Sequence, residues 1–238
     1  MTFQDIEFKN DVDVSLYKTN ASDLDVARAA WVSTKGEEAV DMDSNRVPGL
    51  INYLMKDRHG SPFEHNSFTF VISCPIFVVR EFHRHRAGWS YNEESGRYTQ
   101  LKPVFYVTNE DRNLQQKGKP GHYTFEPGTY EMIYHTQGTL RRSSQECWNE
   151  YQTLLNLGVA KEVARMVLPL NIFTNFWATC NARSLMSFLS LRTENEESTY
   201  VSRPQKEIQM VADKMESIFK EVMPITWQTW NDNGRVAP

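Results

Sequence analysis

Polar and apolar residues alternate along DVDVSLY (residues 11–17), the two-residue period of a half-buried strand. The period then lengthens. Ser22 stands as a cap ahead of Val26, Ala29, Ala30 and Ser33, which predicts a helix. Pro48 opens a second helix whose Leu50, Ile51, Leu54 and Met55 form one apolar stripe, with Gly60 as its expected end. SFTFVIS (67–73) is rich in aromatic and β-branched residues and predicts a strand that Pro75 stops; IFVVREFHRHR (76–86) follows as a helix. A short strand is expected at VFYVT (104–108), and the polar, Gly- and Pro-containing segment 109–128 as a loop or lid.

From Tyr130, positions 133, 134, 137, 140, 144, 147, 148, 151, 154 and 155 keep a helical period for seven turns, and Gly158 suits a left-handed cap. KEVARMVL (161–168) predicts a helix ending before Pro169, IFTNFWAT (172–179) a strand, and Asn181 the cap of a helix ARSLMSFLSL (182–191). PQKEIQMVADKMESIFKEV (204–222) reads as a final amphipathic helix between Pro204 and Pro224. Helices and strands without regular alternation point to an α+β fold, and 238 residues fit a single domain over 1–238.

Charge narrows the function classes. A net charge of -4 argues against a surface built to lie on nucleic acid, so a positive block within the chain must serve something local. Three scattered cysteines and no basic-then-apolar leader suggest a reducing, cytoplasmic setting, and no apolar run approaches the roughly 20 residues that span a bilayer. Cys74 and Cys147 are expected in the core, with Cys180 left open.

The positive block is FHRHRAGWSYNEESGRY (82–98), with three arginines and two histidines. Arg80 and Arg84 fall four apart on one helical face, while Arg86 and Arg97 flank a polar loop ending in SGR. Guanidinium groups bind phosphate oxygens through paired hydrogen bonds, so this cluster suits a phosphorylated ligand; a solvated face on which Arg80, Glu81 and Arg84 pair off is the bland alternative. His83 and His85, with His59 and His65 upstream, raise a metal site, but residues two apart on a helix diverge and no further ligand stands at a suitable spacing, so no metal is expected. Ser95 lacks a nucleophile elbow and reads as a phosphate-binding hydroxyl. Arg165 lies among apolar residues and must find a carboxylate, a ligand or water, and Arg192 ends a helix where its charge suits the dipole.

Arg84-His85-Arg86 followed by SYNEESGRY closely resembles the signature of the flavin-dependent thymidylate synthases, the ThyX family: R-H-R, seven intervening residues, then Ser. SPFEH (61–65), PIFVVREFHRHR (75–86), EVARMVLP (162–169) and NARSLMSFLSLR (181–192) resemble further family blocks in family order. The resemblance implies a mixed sheet flanked by helices. It implies reductive methylation of dUMP to dTMP, with methylenetetrahydrofolate as carbon donor and NADPH as reductant through FAD, in a homotetramer with shared sites, without nucleic acid or membrane partners.

Carried over by position, the resemblance gives Ser61, Arg84, His85, Arg86, Glu93, Asn181 and Arg183 to the flavin, with His59 near the flavin and folate side. It gives Glu81, Arg84, Glu93, Glu94, Ser95, Gly96, Arg97 and Arg165 to dUMP, and makes Arg192 the residue that activates the pyrimidine. No cysteine stands in a motif comparable to that of the thymidylate synthases with a cysteine nucleophile. Three departures stand out: eight residues rather than seven separate Arg86 from Ser95, with Trp89 expected to bulge outward or stack on a ligand; Ser187 replaces the usual Asn or His; and the segment after Arg192 is longer and lacks a histidine. Another pyrimidine-modifying flavoprotein, or a nucleotide- or RNA-binding protein without chemistry, are the rival readings.

Overall fold

The computed structural model describes residues 5–41, 44–120 and 122–238. Its strands are β1 (Glu7–Lys9), β2 (Asp13–Thr19), β3 (Phe68–Pro75), β4 (Trp89–Glu93), β5 (Val104–Tyr106), β6 (Asn113–Lys119), β7 (His122–Pro127) and β8 (Phe173–Cys180). Its α-helices are α1 (Asp23–Lys35), α2 (Val47–Lys56), α3 (Ile76–Phe82), α4 (Tyr130–Asn156), α5 (Lys161–Ala164), α6 (Ala182–Arg192), α7 (Lys206–Val222) and α8 (Pro224–Asp232). Two compact units result. The smaller comprises the chain up to Asp11, Cys74–Phe77 and Glu94–Thr174; the larger comprises Val12–Ser73, Val78–Glu93 and Asn175–Pro238. No helix among the described residues is long and apolar enough to cross a membrane.

A four-stranded sheet, ordered β2-β3-β8-β4, organises the larger unit, with β2 antiparallel to β3 and β4 antiparallel to β8. Phe176, Ala178 and Cys180 of β8 are buried while Asn175 and Trp177 face out, so one sheet face is core. α7 buries Ile208, Val211, Ala212, Met215 and Phe219, and α6 buries Leu185, Met186, Phe188 and Leu189. Each large apolar side chain so buried contributes about 1.5–3 kcal/mol.

Capping sets the helix ends. Ser22 accepts the Asp25 amide at 3.1 Å and opens α1 as expected. α8 was not expected, because Pro224 reads equally as a stop for α7 and as the first residue of a new helix. The carboxylate of buried Asp23 caps it, accepting the amides of Ile225 (2.9 Å) and Thr226 (2.8 Å) and the Thr226 hydroxyl (2.6 Å). α2 does not run to Gly60: it ends at Lys56, and the left-handed residue beyond it is Arg58 (φ 62°). β4 was also missed, although WSYNE alternates ring and polar residues.

In the smaller unit β1 pairs in parallel with β5, and Leu101, Phe105, Trp148, Tyr151, Ala164 and Ile172 form the core. α4 spans the expected seven turns and Gly158 takes the left-handed conformation (φ 83°). Its apolar stripe is buried only in the second half, at Ser144, Trp148 and Tyr151, whereas Tyr134 is exposed and Cys147 only half-buried. Segment 109–128 is a polar hairpin, β6 against β7, not a plain loop; backbone pairing here needs no apolar face to announce it. α5 breaks after one turn into a 3-10 turn over Arg165–Val167, so Arg165 and Met166 point outward and the charge is not buried among its apolar neighbours.

Candidate active site

α3 stops at Phe82, short of the expected Arg86, so Arg84 stands beyond the helix and shares no helical face with Arg80. A side chain secures the stop. The Tyr91 hydroxyl donates to the carbonyls of Phe82 (3.1 Å) and His85 (3.0 Å), satisfying acceptors that a helix end leaves open. Burial pushes the Tyr91 hydroxyl's pKa up, which keeps it a donor.

The stretch Ala87–Trp89, where an extra residue was expected, has a specific lodging. Gly88 has φ 70°, and a Cβ there would lie 2.2 Å from the Ser184 hydroxyl, so only glycine admits the contact. Ser184 in turn donates to the Ala87 carbonyl at 2.9 Å, tying the loop to α6. Trp89 does not bulge outward: it stacks on Tyr91 (centroids 5.7 Å, 8° between planes) and packs on Phe82 and Phe188.

Between this loop and α6 lies a cavity of about 750 Å³ lined by Arg84, His85, Arg86, Asn181, Arg183 and Arg192, with Glu64, Trp89, Ser184, Ser187, Ala237 and Pro238 among its other walls. Four guanidinium groups thus border one space. The Arg84 guanidinium has no protein partner among the described residues, and Arg86 makes one long bond to the His83 carbonyl (3.4 Å).

Arg192 is held from two sides. Its Nε donates to His85 Nε2 at 3.1 Å and its Nη1 to Glu81 Oε2 at 2.7 Å. The side chains of Arg192 and Glu81 are only 19% and 22% exposed, so the pair is shielded from solvent. Burial, and then the Arg192 charge, depress the His85 pKa to about 4, so the ring is neutral with its proton on Nδ1. Burial raises the Glu81 pKa; the Arg192 charge opposes this and the Glu207 charge adds to it.

At the start of α6, Asn181 Oδ1 accepts the Ser184 amide (2.8 Å) and buried Asn66 Oδ1 accepts the Ala182 amide (2.8 Å). Arg183 Nη1 donates to Glu64 Oε1 at 2.6 Å, and its Nε donates to the main-chain oxygen of Pro238 at 2.6 Å. Of the other residues assigned by resemblance, Ser61 opens the 3-10 turn Ser61–Glu64, His59 stacks on Tyr53 (5.5 Å), and Glu93 ends β4; none of the three lines the cavity. Glu64, Ser184 and the Ala237–Pro238 pair do line it and carried no sequence signal, since their place depends on contacts distant in the chain.

Glu94, Ser95, Gly96, Arg97 and Arg165 belong to the smaller unit. The Arg97 amide donates to Ser95 Oγ (3.3 Å), its Nε donates to Glu162 Oε2 (2.9 Å), and a Cβ on Gly96 would sit 3.2 Å from Arg165 Cδ. The guanidinium of exposed Arg165 has no protein partner among the described residues. The buried Cys180 thiol is pushed well up and stays protonated.

Comparison with known proteins places these features in one family. The model of the thymidylate synthase complementing protein family matches residues 15–225. The flavin-dependent thymidylate synthase of Streptomyces avermitilis is 56% identical over 234 residues, covering 97% of this chain and 95% of that protein; that of Streptomyces coelicolor is 53% identical over 236 residues, covering 98% and 96%. The UMP/dUMP methylase PolB from Streptomyces cacaoi, in its crystal structure with 5-Br dUMP, superposes with a TM-score of 0.92 at 48% identity, covering 98% of this chain and 100% of that one. The mixed α/β architecture is therefore that of an enzyme, and the chain belongs to the flavin-dependent thymidylate synthase family.

Proposed function

We propose that the protein methylates dUMP to dTMP, taking the one-carbon unit from methylenetetrahydrofolate and reducing equivalents from NADPH through FAD. The observation that carries this reading is Arg192, fixed by His85 and Glu81 at the wall of a cavity bordered by three more arginines. The donor set fits a dinucleotide: the Arg84 guanidinium has no protein partner among the described residues, and Arg86 and Arg183 border the same space, as a pyrophosphate requires. Arg84, His85, Arg86, Asn181 and Arg183 would hold FAD, with Ser61, Glu93 and His59 as further contacts by resemblance.

FAD supplies the hydride chemistry when bound. The chain supplies orientation and charge. A uracil ring alkylated at C5 must first gather electron density there, which places negative charge on O4 and N3. A guanidinium remains charged at any working pH, and Arg192, with Nε and Nη1 spent on His85 and Glu81, keeps its Nη2 donors for that edge. Neutral His85 accepts from Arg192 without adding a competing positive charge. Arg97, Arg165, Glu94, Ser95 and Gly96 serve the nucleotide and its phosphate in this reading. The high pKa of buried Cys180 supports activation without a cysteine nucleophile.

The match over 15–225 runs through both compact units and supports one enzyme domain. Met166 (76% exposed) and Leu170 (55%) beside Arg165 support burial of that surface in a homotetramer. The free cysteines agree with a reducing, cytoplasmic setting.

A second reading, methylation of UMP as well as dUMP, is favoured by the likeness to PolB, a UMP/dUMP methylase. The test is product formation from dUMP and from UMP with methylenetetrahydrofolate and NADPH, with and without added FAD. A flavin spectrum with NADPH-dependent dTMP is expected; no dTMP with every component present would sink the reading.

A further inference from the structure

The segment Val236–Pro238 runs beside the cavity, and its Ala237 and Pro238 form part of the wall. Arg58 Nη1 donates to the carbonyls of Val236 (3.0 Å) and Ala237 (3.1 Å), and Arg58 does so from a left-handed backbone conformation that a non-glycine residue adopts only when its surroundings hold it there. The next main-chain oxygen, of Pro238, accepts from Arg183 Nε at 2.6 Å. Gly60 lies beneath both. A Cβ at Gly60 would be 2.6 Å from the Arg183 guanidinium carbon and 2.9 Å from the Pro238 oxygen, so the glycine is what lets guanidinium and segment come together.

The consequence for Arg183 is directional. Its Nε is taken by Pro238 and one Nη1 hydrogen by Glu64, while Nη2 has no protein partner among the described residues. What remains is Nη2 and one Nη1 hydrogen, donors suited to the oxygens of a phosphate. A long arginine otherwise loses about 1–2 kcal/mol of rotamer freedom on being fixed. Here that ordering is already done.

We propose that Val236–Pro238 acts as a strap that positions Arg183 for a phosphate of the flavin cofactor, with Arg58 and Gly60 as positioning residues that act through it. This rests on the assignment of Arg183 to the flavin. Binding of FAD, followed by flavin fluorescence, tests it in the 238-residue chain, in Arg58→Asn, in Arg58→Lys, in a form ending at Arg235, and in Arg183→Ala. Asparagine tolerates the left-handed backbone but cannot reach the carbonyls; lysine keeps a donor.

Arg58→Asn and the form ending at Arg235 are expected to bind FAD about 2- to 10-fold more weakly, the range of one or two hydrogen bonds, with Arg58→Lys nearer the parent. Affinities are compared at a temperature where circular dichroism shows each flavin-free variant folded, which separates positioning from folding. If Arg183→Ala weakens FAD while Arg58→Asn and the shortened form bind as tightly as the parent or more tightly, the strap is overturned and the flavin assignment stands. Should Arg183→Ala bind FAD as the parent does, the flavin assignment fails and the strap falls with it.

Discussion

Arg192 donates through Nε to His85 Nε2 at 3.1 Å, joining the last residue of α6 to the loop that follows α3, 107 positions earlier in the chain. The bond explains why a helix-end arginine does more than complement a dipole. Its guanidinium is oriented by a neutral ring on one edge and a carboxylate on the other, so its remaining donors point as a unit.

Arg192→Ala is expected to lower turnover at least about 100-fold, as the loss of an electrostatic donor at a reacting centre does, while the visible flavin spectrum persists. Arg192→Lys is expected to fail similarly, since an ammonium cannot meet His85 and Glu81 in one plane. Single-turnover dTMP formation checks both.

The His85 pKa falls from the usual 6.5 to about 4 in the folded chain. The unfolded chain therefore binds the proton more tightly, so the contribution of neutral His85 is complete above about pH 6.5 and is lost as the pH falls towards 4. Chemical denaturation of the flavin-free protein should show this slope, and His85→Gln should flatten it. An NMR titration placing His85 near 6.5 would contradict it.

Glu81 has the opposite sign. Its pKa is raised, chiefly by burial, so the stability it contributes is present below its unfolded value and lost as pH rises through the folded one. Glu81→Gln is thus expected to be no less stable than the parent at pH 7, yet to lose turnover because Arg192 is no longer held. Paired thermal melts and kinetics separate the two effects.

Gly88→Ala meets both a φ of 70° and the Ser184 hydroxyl at 2.2 Å. A cost of about 1–2 kcal/mol from the backbone alone is expected, and Ser184→Ala in the same chain should relieve only the steric part. Thermal unfolding of the single and double variants measures the division.

Asp23→Ala removes the acceptor for three donors at the start of α8. A loss of about 1–2 kcal/mol is expected, typical of a helix cap, with little change in flavin binding. A melt unchanged from the parent would show that solvent replaces the cap without cost.

Ser22, Asn181 and Gly158 announced their helix ends because capping is a local event, settled within a few residues of the chain. The apolar period of α7 and the ring-rich strand β3 were legible for the same reason, and so was the arginine block, as a cluster of charge in an acidic chain. Tertiary structure alone decided the rest. Pro224 is compatible with a stop and with a start, and only Asp23, 201 residues away, makes it a start. Arg165, among apolar neighbours, had to find a carboxylate, a ligand or water, and a 3-10 turn that leaves it exposed decided for solvent, because exposure depends on which face a turn presents and not on neighbours in sequence. Arg192 and His85, and Arg183 with Pro238, meet through folding of segments far apart, and no short-range pattern encodes a hydrogen bond between them.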